Sequence, residues 1–430
     1  MTVKVNGRRR TARVVGALAA LATVALAGCG ADNTSGSEQT PVGADSPAPA
    51  LSGTPITIGY AASMSGAQAS NGLSGKAVAH AFQEYTNAHG GILGHPVEVT
   101  VTDTKNTVPG ATSVVKGFMG DSDVDAVILT DLVAESAMTD TLKNTDVAVI
   151  SGNGATNVPW STVPGLFQDV SGAEYAARVF ADVAKAAGTE KLGWAVCSEV
   201  ANCQENSDKG SAYAETLGVA PVGTQLISAS ASDYTAPCLS FAGKGTDGIA
   251  MYAGYTTGTR FATDCLRQGY SGTFLTANSG FDQSAFGKVS GFKSYGSTEG
   301  FPWWADDPAV ATYRDAMAKY SPDGAWQSGN ATAIWSSFEL FRKALDDAKP
   351  ATIDRGTVMD AMYQVKDETL GGLLAQPVTY TKGEPSRPVE CSWFLKFDAG
   401  DDEPTSIAPA KSGNGATGDL ASTCGDNVGS

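Results

Sequence analysis

Three histidines and three glycines crowd into HAFQEYTNAHGGILGHPVEV, residues 80–99. Histidines do acid–base or metal chemistry, and Gly-Gly-x-x-Gly invites comparison with a phosphate-cradling loop. A phosphate loop needs its glycines between a strand and the helix that follows, so that the anion meets a helix N-terminus. Here they follow a helical pattern and precede a strand. Gly90 and Gly91 stand where a helix ends in left-handed backbone, and Gly94 with Pro96 turns the chain into the next strand. The turn reading therefore replaces the nucleotide one. HExxH, GxSxG and GxxxxGK[ST] are all missing, and the three histidines share one helix and its exit turn. His80 and His89 read as surface residues of that helix. A secreted hydrolase would have to bring a buried nucleophile and base together through space.

The seven cysteines are the other reactive set. Cys29 ends a leader: Lys4, Arg8, Arg9, Arg10 and Arg13 precede the apolar run VVGALAALATVALAG, which is long enough for an export signal and too short to span a bilayer. Leu26-Ala27-Gly28-Cys29 looks like a bacterial lipobox, with cleavage before a cysteine that carries lipid. Six cysteines then remain for an oxidising compartment. They allow 15 pairings, of which the sequence-local set Cys197–Cys203, Cys238–Cys265 and Cys391–Cys424 is favoured. Cys238 and Cys265 lie on helical stretches before successive strands, at heights that a bridge can join. A metal site lacks CxxC spacing and a nearby histidine.

With the leader removed, 24 basic face 45 acidic residues, a balance of −21 that repels nucleic acid and anionic lipid. Residues 31–54 are small, polar and rich in Pro, Ser and Gly, and read as a tether.

From Pro55 the chain alternates β-rich runs with helical stretches, as in parallel α/β sheets. ITIGYA (56–61), PVEVTVTD (96–103), DAVIL (125–129) and VAVISG (147–152) read as strands of one lobe. KLGWAVCS (191–198), TQLIS (224–228), GIAMYA (248–253) and TFLTA (273–277) restart the pattern. Two more helical stretches follow Phe301, the clearer being TAIWSSFELFRKAL (332–345); PVTYT (377–381) and CSWFLKF (391–397) then read as strands, and the tail from Gly400 as loop. About 375 residues are too many for one ordinary core, so two domains are expected.

IGYAASMSGAQASNGLSGKAVAHAFQEYTNAHGGILGHPVEVTVTDTKNTVPGATSVVKGFM resembles the opening of type I periplasmic solute-binding proteins of the branched-chain amino acid (Leu/Ile/Val) class, which deliver ligand to ABC importers. The GGIxGxPV element in its helix–strand setting, Ser65-Gly66 after the first strand, Asp103 at a strand end and VAVISGNGAT carry the likeness, which runs with gaps over residues 55–397. It implies an α/β fold of two parallel-sheet lobes joined by three crossovers, with ligand in the cleft. The expected layout is a signal peptide (1–28), a lipidated Cys29 with linker (29–54), lobe 1 (55–168 and 301–384) and lobe 2 (169–300 and 385–430) ending in a disordered tail. A lipid anchor agrees, since organisms without a confined periplasm must tether such receptors.

Open α/β sheets independently place ligands beyond the carboxyl ends of their strands. The expected contacts are therefore Ser65, Gln68 and Asn71 after the first strand, Ala134 and Glu135 with Ser136 after the third, and Asn153 and Thr156 after the fourth. By the resemblance, Asn71 stands where an aromatic often packs, and Ala134 where amino-acid binders have a carboxylate-binding serine. Tyr255 matches a ligand-contacting tyrosine and Trp326 an aromatic over the ligand side chain, while Trp303 and Trp304 follow a crossover, one expected toward the cleft and one toward the core. Asn278 falls where amino-acid binders carry the glutamate that pairs with the α-ammonium. An amide cannot supply that charge unless Glu135 or Asp282 substitutes.

The expectation is a lipid-anchored, non-enzymatic, monomeric binding protein without cofactor or metal. Its partners are a small solute (branched-chain amino acid, amide or aromatic acid), ABC permease subunits and, through the anchor, the membrane, but not nucleic acid. The alternative is a ligand-sensing module on the same fold.

Overall fold

The computed structural model describes residues 51–66, 69–131, 135–143, 145–151, 159–199, 202–277 and 280–425. The leader, Cys29 and the tether lie outside these residues.

The first sheet is wholly parallel, in the order β2-β1-β3-β4-β5. Its strands are β1 (Ile56–Ala62), β2 (Val97–Asp103), β3 (Ala126–Thr130), β4 (Ala148–Ser151) and β5 (Leu166–Gln168). Between them run α1 (Ala69–Ala88), α2 (Val108–Gly120) and the single-turn α3 (Thr139–Leu142). Burial explains the composition: every residue of β3 (AVILT) is buried, as a central strand covered on both faces requires. Thr107 caps α2 by accepting from the Gly110 amide at 3.2 Å, and Pro109 fits the first turn, where no amide bond is lost.

The second sheet begins after α4 (Ala173–Ala186) and alternates β6 (Lys191–Cys197), α5 (Asn202–Thr216), β7 (Ala220–Ile227), α6 (Thr235–Gly243), β8 (Gly248–Tyr252), α7 (Tyr255–Arg267), β9 (Thr273–Ala277), the short α8 (Gln283–Phe286) and β10 (Lys293–Thr298). The chain then returns to the first lobe through α9 (Pro308–Tyr320), α10 (Gly329–Ala348) and α11 (Arg355–Met362). There α10 packs on α1: Phe338 stacks on Phe82 at 4.8 Å, and Trp335 meets the same ring edge-on at 5.6 Å. A third passage leads to β11 (Cys391–Asp398), β12 (Thr405–Ile407) and β13 (Thr423–Cys424), which complete the second sheet. β7, β6, β8, β9 and β10 are mutually parallel, whereas β11 is antiparallel to β10, so this sheet is mixed rather than purely parallel.

Several expectations need correcting. Residues 377–381 are not a strand; Val378 makes one isolated bridge with Glu368. Helix α1 starts at Ala69, a turn and more before Ser74, where its apolar face begins. β5 and β10 were not anticipated, and neither were β12 and β13 in a tail expected to be disordered. That tail is held to Gly425: β13 pairs with β11, and buried Asn414 donates to the carbonyls of Gly372, Leu374 and Leu420 at 3.0–3.1 Å. The three disulfides are Cys197–Cys203, Cys238–Cys265 and Cys391–Cys424. The last ties the register pair Cys391 and Cys424 across β11 and β13.

The glycine-rich turn behaves as a turn. Gly90, Gly91 and Gly94 have φ of 98°, 69° and 85°, and the Gly91 amide returns to the Thr86 carbonyl at 2.9 Å to close the helix. It delivers the chain to the amino end of β2, the edge away from the strand exits.

Candidate ligand-binding site

Each sheet has a switch point where winding reverses, between β1 and β3 in the first and between β6 and β8 in the second. Ligands of open α/β sheets sit beyond the carboxyl ends at such points.

On the first lobe these ends are tightly bonded. The Ser63 hydroxyl donates to Asp131 Oδ2 at 3.0 Å and lies 3.0 Å from the Thr104 hydroxyl. Asp103 Oδ1 accepts from the Met64 and Lys105 amides at 2.9 and 2.8 Å. Desolvation pushes Asp103 upward, but these amides and the Ser65 hydroxyl outweigh it and hold the carboxyl below its ordinary range. Ser65 is thus half-buried at the strand exit and bonded to the end of β2. Asn71, in the first turn of α1, is buried, and its carbonyl accepts from Ser74 and from Asn330 of α10, both at 3.0 Å. Glu135 is fully buried and accepts from the Trp160 indole at 3.1 Å, which ties it to the first lobe's core.

On the second lobe Tyr255 opens α7 directly after β8, at the switch point. It is half-buried, and its phenol bonds to Ser70 at the start of α1, so it spans from one lobe to the other. Burial first, then the charge of Asp282, pushes this phenol up to about 12. Asp282 is buried and caps α8, its Oδ1 accepting from the Ala285 amide and the Ser284 hydroxyl, both at 2.8 Å. Its Oδ2 has no partner, and burial chiefly raises its pKa. The same segment touches the loop before α10: Asp282 bridges Ser328, and the Gln283 amide donates to the Gln327 carbonyl at 3.0 Å. Trp326 is half-buried in that loop, edge-on to Tyr313 at 6.1 Å, and its carbonyl accepts the Tyr313 hydroxyl at 2.5 Å. Tyr313 also feels the charge of Asp282, so Tyr255, Asp282, Tyr313 and Trp326 form one neighbourhood between the lobes.

The tryptophan pair differs from expectation, because both members are buried. Trp303 stacks on Phe281 and donates its indole N–H to Gln283 at 2.8 Å, while Trp304 donates to Ser406 at 2.9 Å. Gln68, Ala134, Asn153, Thr156 and Asn278 lie outside the described residues. Sequence reasoning missed Ser63, Asn330 and Glu299, whereas Ser70 lies inside the loop Ser65–Asn71 that it named. Ser63, Asn330 and Glu299 had no usable signal, Glu299 because the strand it follows is polar.

The charges around one outer cavity pair with each other. A cavity of about 260 Å³ outside α10 is lined by Glu339, Arg342, Lys343 and Glu368, and these charges pair among themselves and with Asp346 and Asp347. His80 does come within 3.4 Å of the Ser321 hydroxyl, but that hydroxyl donates to the Ala77 carbonyl at 2.8 Å, and the contact is exposed. Among the described residues no group of His, Cys, Asp and Glu is placed to hold a metal ion, and no helix is long and apolar enough to cross a membrane.

Two α/β lobes joined by three crossovers define a binding protein of the two-lobed type, and residues 55–402 match the family described as periplasmic binding protein. The chain belongs to that family, whose members work outside the cytoplasm, and its fold is the type I form. A branched-chain amino acid ABC transporter protein from Thermus thermophilus with bound valine superposes with a TM-score of 0.69 at 15% identity, over 82% of this chain and 95% of that one. A fatty acid ABC transporter substrate-binding protein from Thermomonospora curvata gives 0.66 at 18%, over 87% and 96%. A solute-binding protein from R. palustris in complex with 4-hydroxybenzoate gives 0.66 at 16%, over 82% and 96%. No curated protein matches the sequence.

Proposed function

We propose that the protein is an extracytoplasmic substrate-binding lipoprotein, tethered through Cys29, that captures a small solute between its lobes and delivers it to an ABC importer. The observation that carries this reading is the Tyr255–Ser70 contact across the lobes, at the switch point of the second sheet and beside Trp326 and Asp282. A tyrosine that reaches the other lobe beside a half-buried tryptophan suits closure over a small ligand with an apolar or ring-bearing body. The solutes named for structural neighbours, valine, fatty acid and 4-hydroxybenzoate, span that range. Branched-chain amino acids, amides and aromatic acids are the classes to screen.

Ligand capture stabilises the bound state by mass action, so a true ligand raises the melting temperature and is not turned over. Tyr255→Ala and Trp326→Ala are each expected to weaken binding about tenfold or more, because each removes a large aromatic contact, while leaving the fold intact. Unchanged affinity in both variants would move the pocket elsewhere. Adjacent permease and ATPase genes would support import, and a lone kinase gene a sensing role.

A further inference from the structure

The three disulfides are not equivalent. By chain entropy, a cross-link stabilises with the logarithm of the ring it closes. Cys238–Cys265 and Cys391–Cys424 span separations of 27 and 33 residues, and Cys197–Cys203 only 6. The short ring therefore gains the least global stability. Its position is what sets it apart: Cys197 ends β6, at the switch point of the second sheet, and Cys203 lies in the first turn of α5. The bridge holds the start of α5 against the end of β6, with a Cα–Cα distance of 5.9 Å, and closes the loop between them.

Two routes lead from that loop to α7, the helix that Tyr255 opens. In the first, Glu199 Oε1 accepts from the Ser228 hydroxyl and the Ala229 amide of the loop after β7, both at 2.7 Å. The Ala229 carbonyl in turn accepts from Arg260 of α7 at 2.9 Å, and the same guanidinium donates to the Ala231 carbonyl. In the second, Asn206, on the turn of α5 after Cys203, donates to the Tyr252 hydroxyl at 3.0 Å, and Tyr252 ends β8 just before α7 begins. Helix α7 is itself fixed unevenly. Cys238–Cys265 ties its last turn to α6, whereas its first turn starts from Gly254, which supplies no side-chain cap. A helix pinned at its far end and uncapped at its near end takes the place of that near end from its neighbours.

We infer that Cys197–Cys203 is a positioning brace for the binding site: by fixing the loop after β6 and the first turn of α5, it sets where the first turn of α7 presents Tyr255 to the other lobe. The purpose of the brace rests on the solute-binding reading. Its removal loosens one wall between the lobes and leaves the core of the second lobe standing.

The test is hydrogen exchange, read by mass spectrometry on the intact protein without ligand. The amides to follow are those of Thr257 and Gly258, which close the first turn of α7 on the Gly254 carbonyl at 3.0 Å, and that of Ala231, which donates to the Ser228 carbonyl at 3.1 Å. In Cys197→Ala/Cys203→Ala these are expected to exchange about tenfold faster or more, while β8, β9 and β10 keep their rates. Cys391→Ala/Cys424→Ala is expected to leave Thr257 and Gly258 at the wild-type rate, although it opens the larger ring. Glu199→Ala/Asn206→Ala cuts both routes and keeps every cysteine, so it should reproduce the faster exchange at Thr257 and Gly258 and decides the matter if the first variant fails to fold. Faster exchange confined to residues 198–206 overturns the inference, because the brace would then hold only its own loop. So does uniform acceleration across the second lobe, the mark of an ordinary staple, and so does a wild-type rate at Thr257 and Gly258 when both routes are cut. With no ligand present, failure here leaves the solute-binding reading standing, and failure of a ligand screen leaves these exchange rates as they are.

Discussion

The two lobes share an architecture and differ in how they are finished. At its strand exits the first lobe engages Asp103 and Asp131 with its own backbone and hydroxyls but leaves Oδ1 of Asp169, just past β5, without a partner, and it contains no cysteine among its strands and helices. The second lobe carries all three disulfides and leaves an oxygen of Asp282 and one of Glu299 without partners. One lobe is held by packing and local hydrogen bonds, the other by covalent braces as well. A lobe with unpaired buried acceptors loses stability to them, and cross-links are one way to offset the loss.

Damage to the first lobe's core sharpens the contrast most. Phe338 stacks on Phe82 and lies 6.3 Å from the Tyr60 ring, so Phe338→Ala removes the joint between α10, α1 and β1. A loss of about 3–5 kcal/mol is expected in denaturant unfolding. Opening Cys391–Cys424 by paired alanines should cost the second lobe about 2–4 kcal/mol, since the bridge closes a 33-residue separation and pins the tail strand to β11. If the lobes unfold as separable units, the two variants will shift different transitions. A single shared transition shifted by both would show that the crossovers couple them fully.

Glu299 bears on the same comparison through pH. Its folded pKa, about 8, stands above its ordinary value of 4.5, so the folded state binds its proton more tightly than the unfolded chain does. Its contribution to stability is fully present below pH 4.5 and is lost as pH rises toward 8, an effect of roughly 5 kcal/mol. Glu299→Gln should flatten that part of the pH–stability curve of the empty protein. An unchanged slope would mean that the carboxyl finds a partner in solution.

What the sequence made legible follows the same division of labour. Strands that alternate or run apolar, such as KLGWAVC and AVILT, announced themselves by period, and the disulfides followed from cysteines close in sequence. β10 did not, because KSYGST is polar: Ser294 and Ser297 are buried by neighbours that sequence alone does not bring near. PVTYT failed in the opposite sense, with strand-like composition but no partner strand beyond one bridge. Gly300 is a third case. A side chain there would run into the Gly329 carbonyl and the Ala333 amide of α10, so its small size is a tertiary requirement, with no local signature. Asp282 was legible as a possible substitute acid because it follows a strand exit; Glu299 was hidden in what read as a crossover.

The smallest expected effect tests the first lobe's side of the contrast. Asp103 is held below its ordinary value of 3.8 by the Met64 and Lys105 amides and the Ser65 hydroxyl, against the opposing push of desolvation. Its contribution is therefore present above pH 3.8 and fades as pH falls through the lowered folded value, the reverse of Glu299. Because Asp103 is partly exposed, solvent screens most of that term, and Asp103→Asn should cost under about 1 kcal/mol at neutral pH. The variant keeps a carbonyl that can accept from one amide, so the loop after β1 should hold its path. Urea unfolding from pH 3 to pH 8 would register the two carboxyls as opposite slopes in one protein, one finished by its own backbone and one left open. Were Asp103→Asn to abolish ligand binding with stability intact, the first lobe's exit would be more than a bonded scaffold, and the asymmetry between the lobes would have to be redrawn around Ser65.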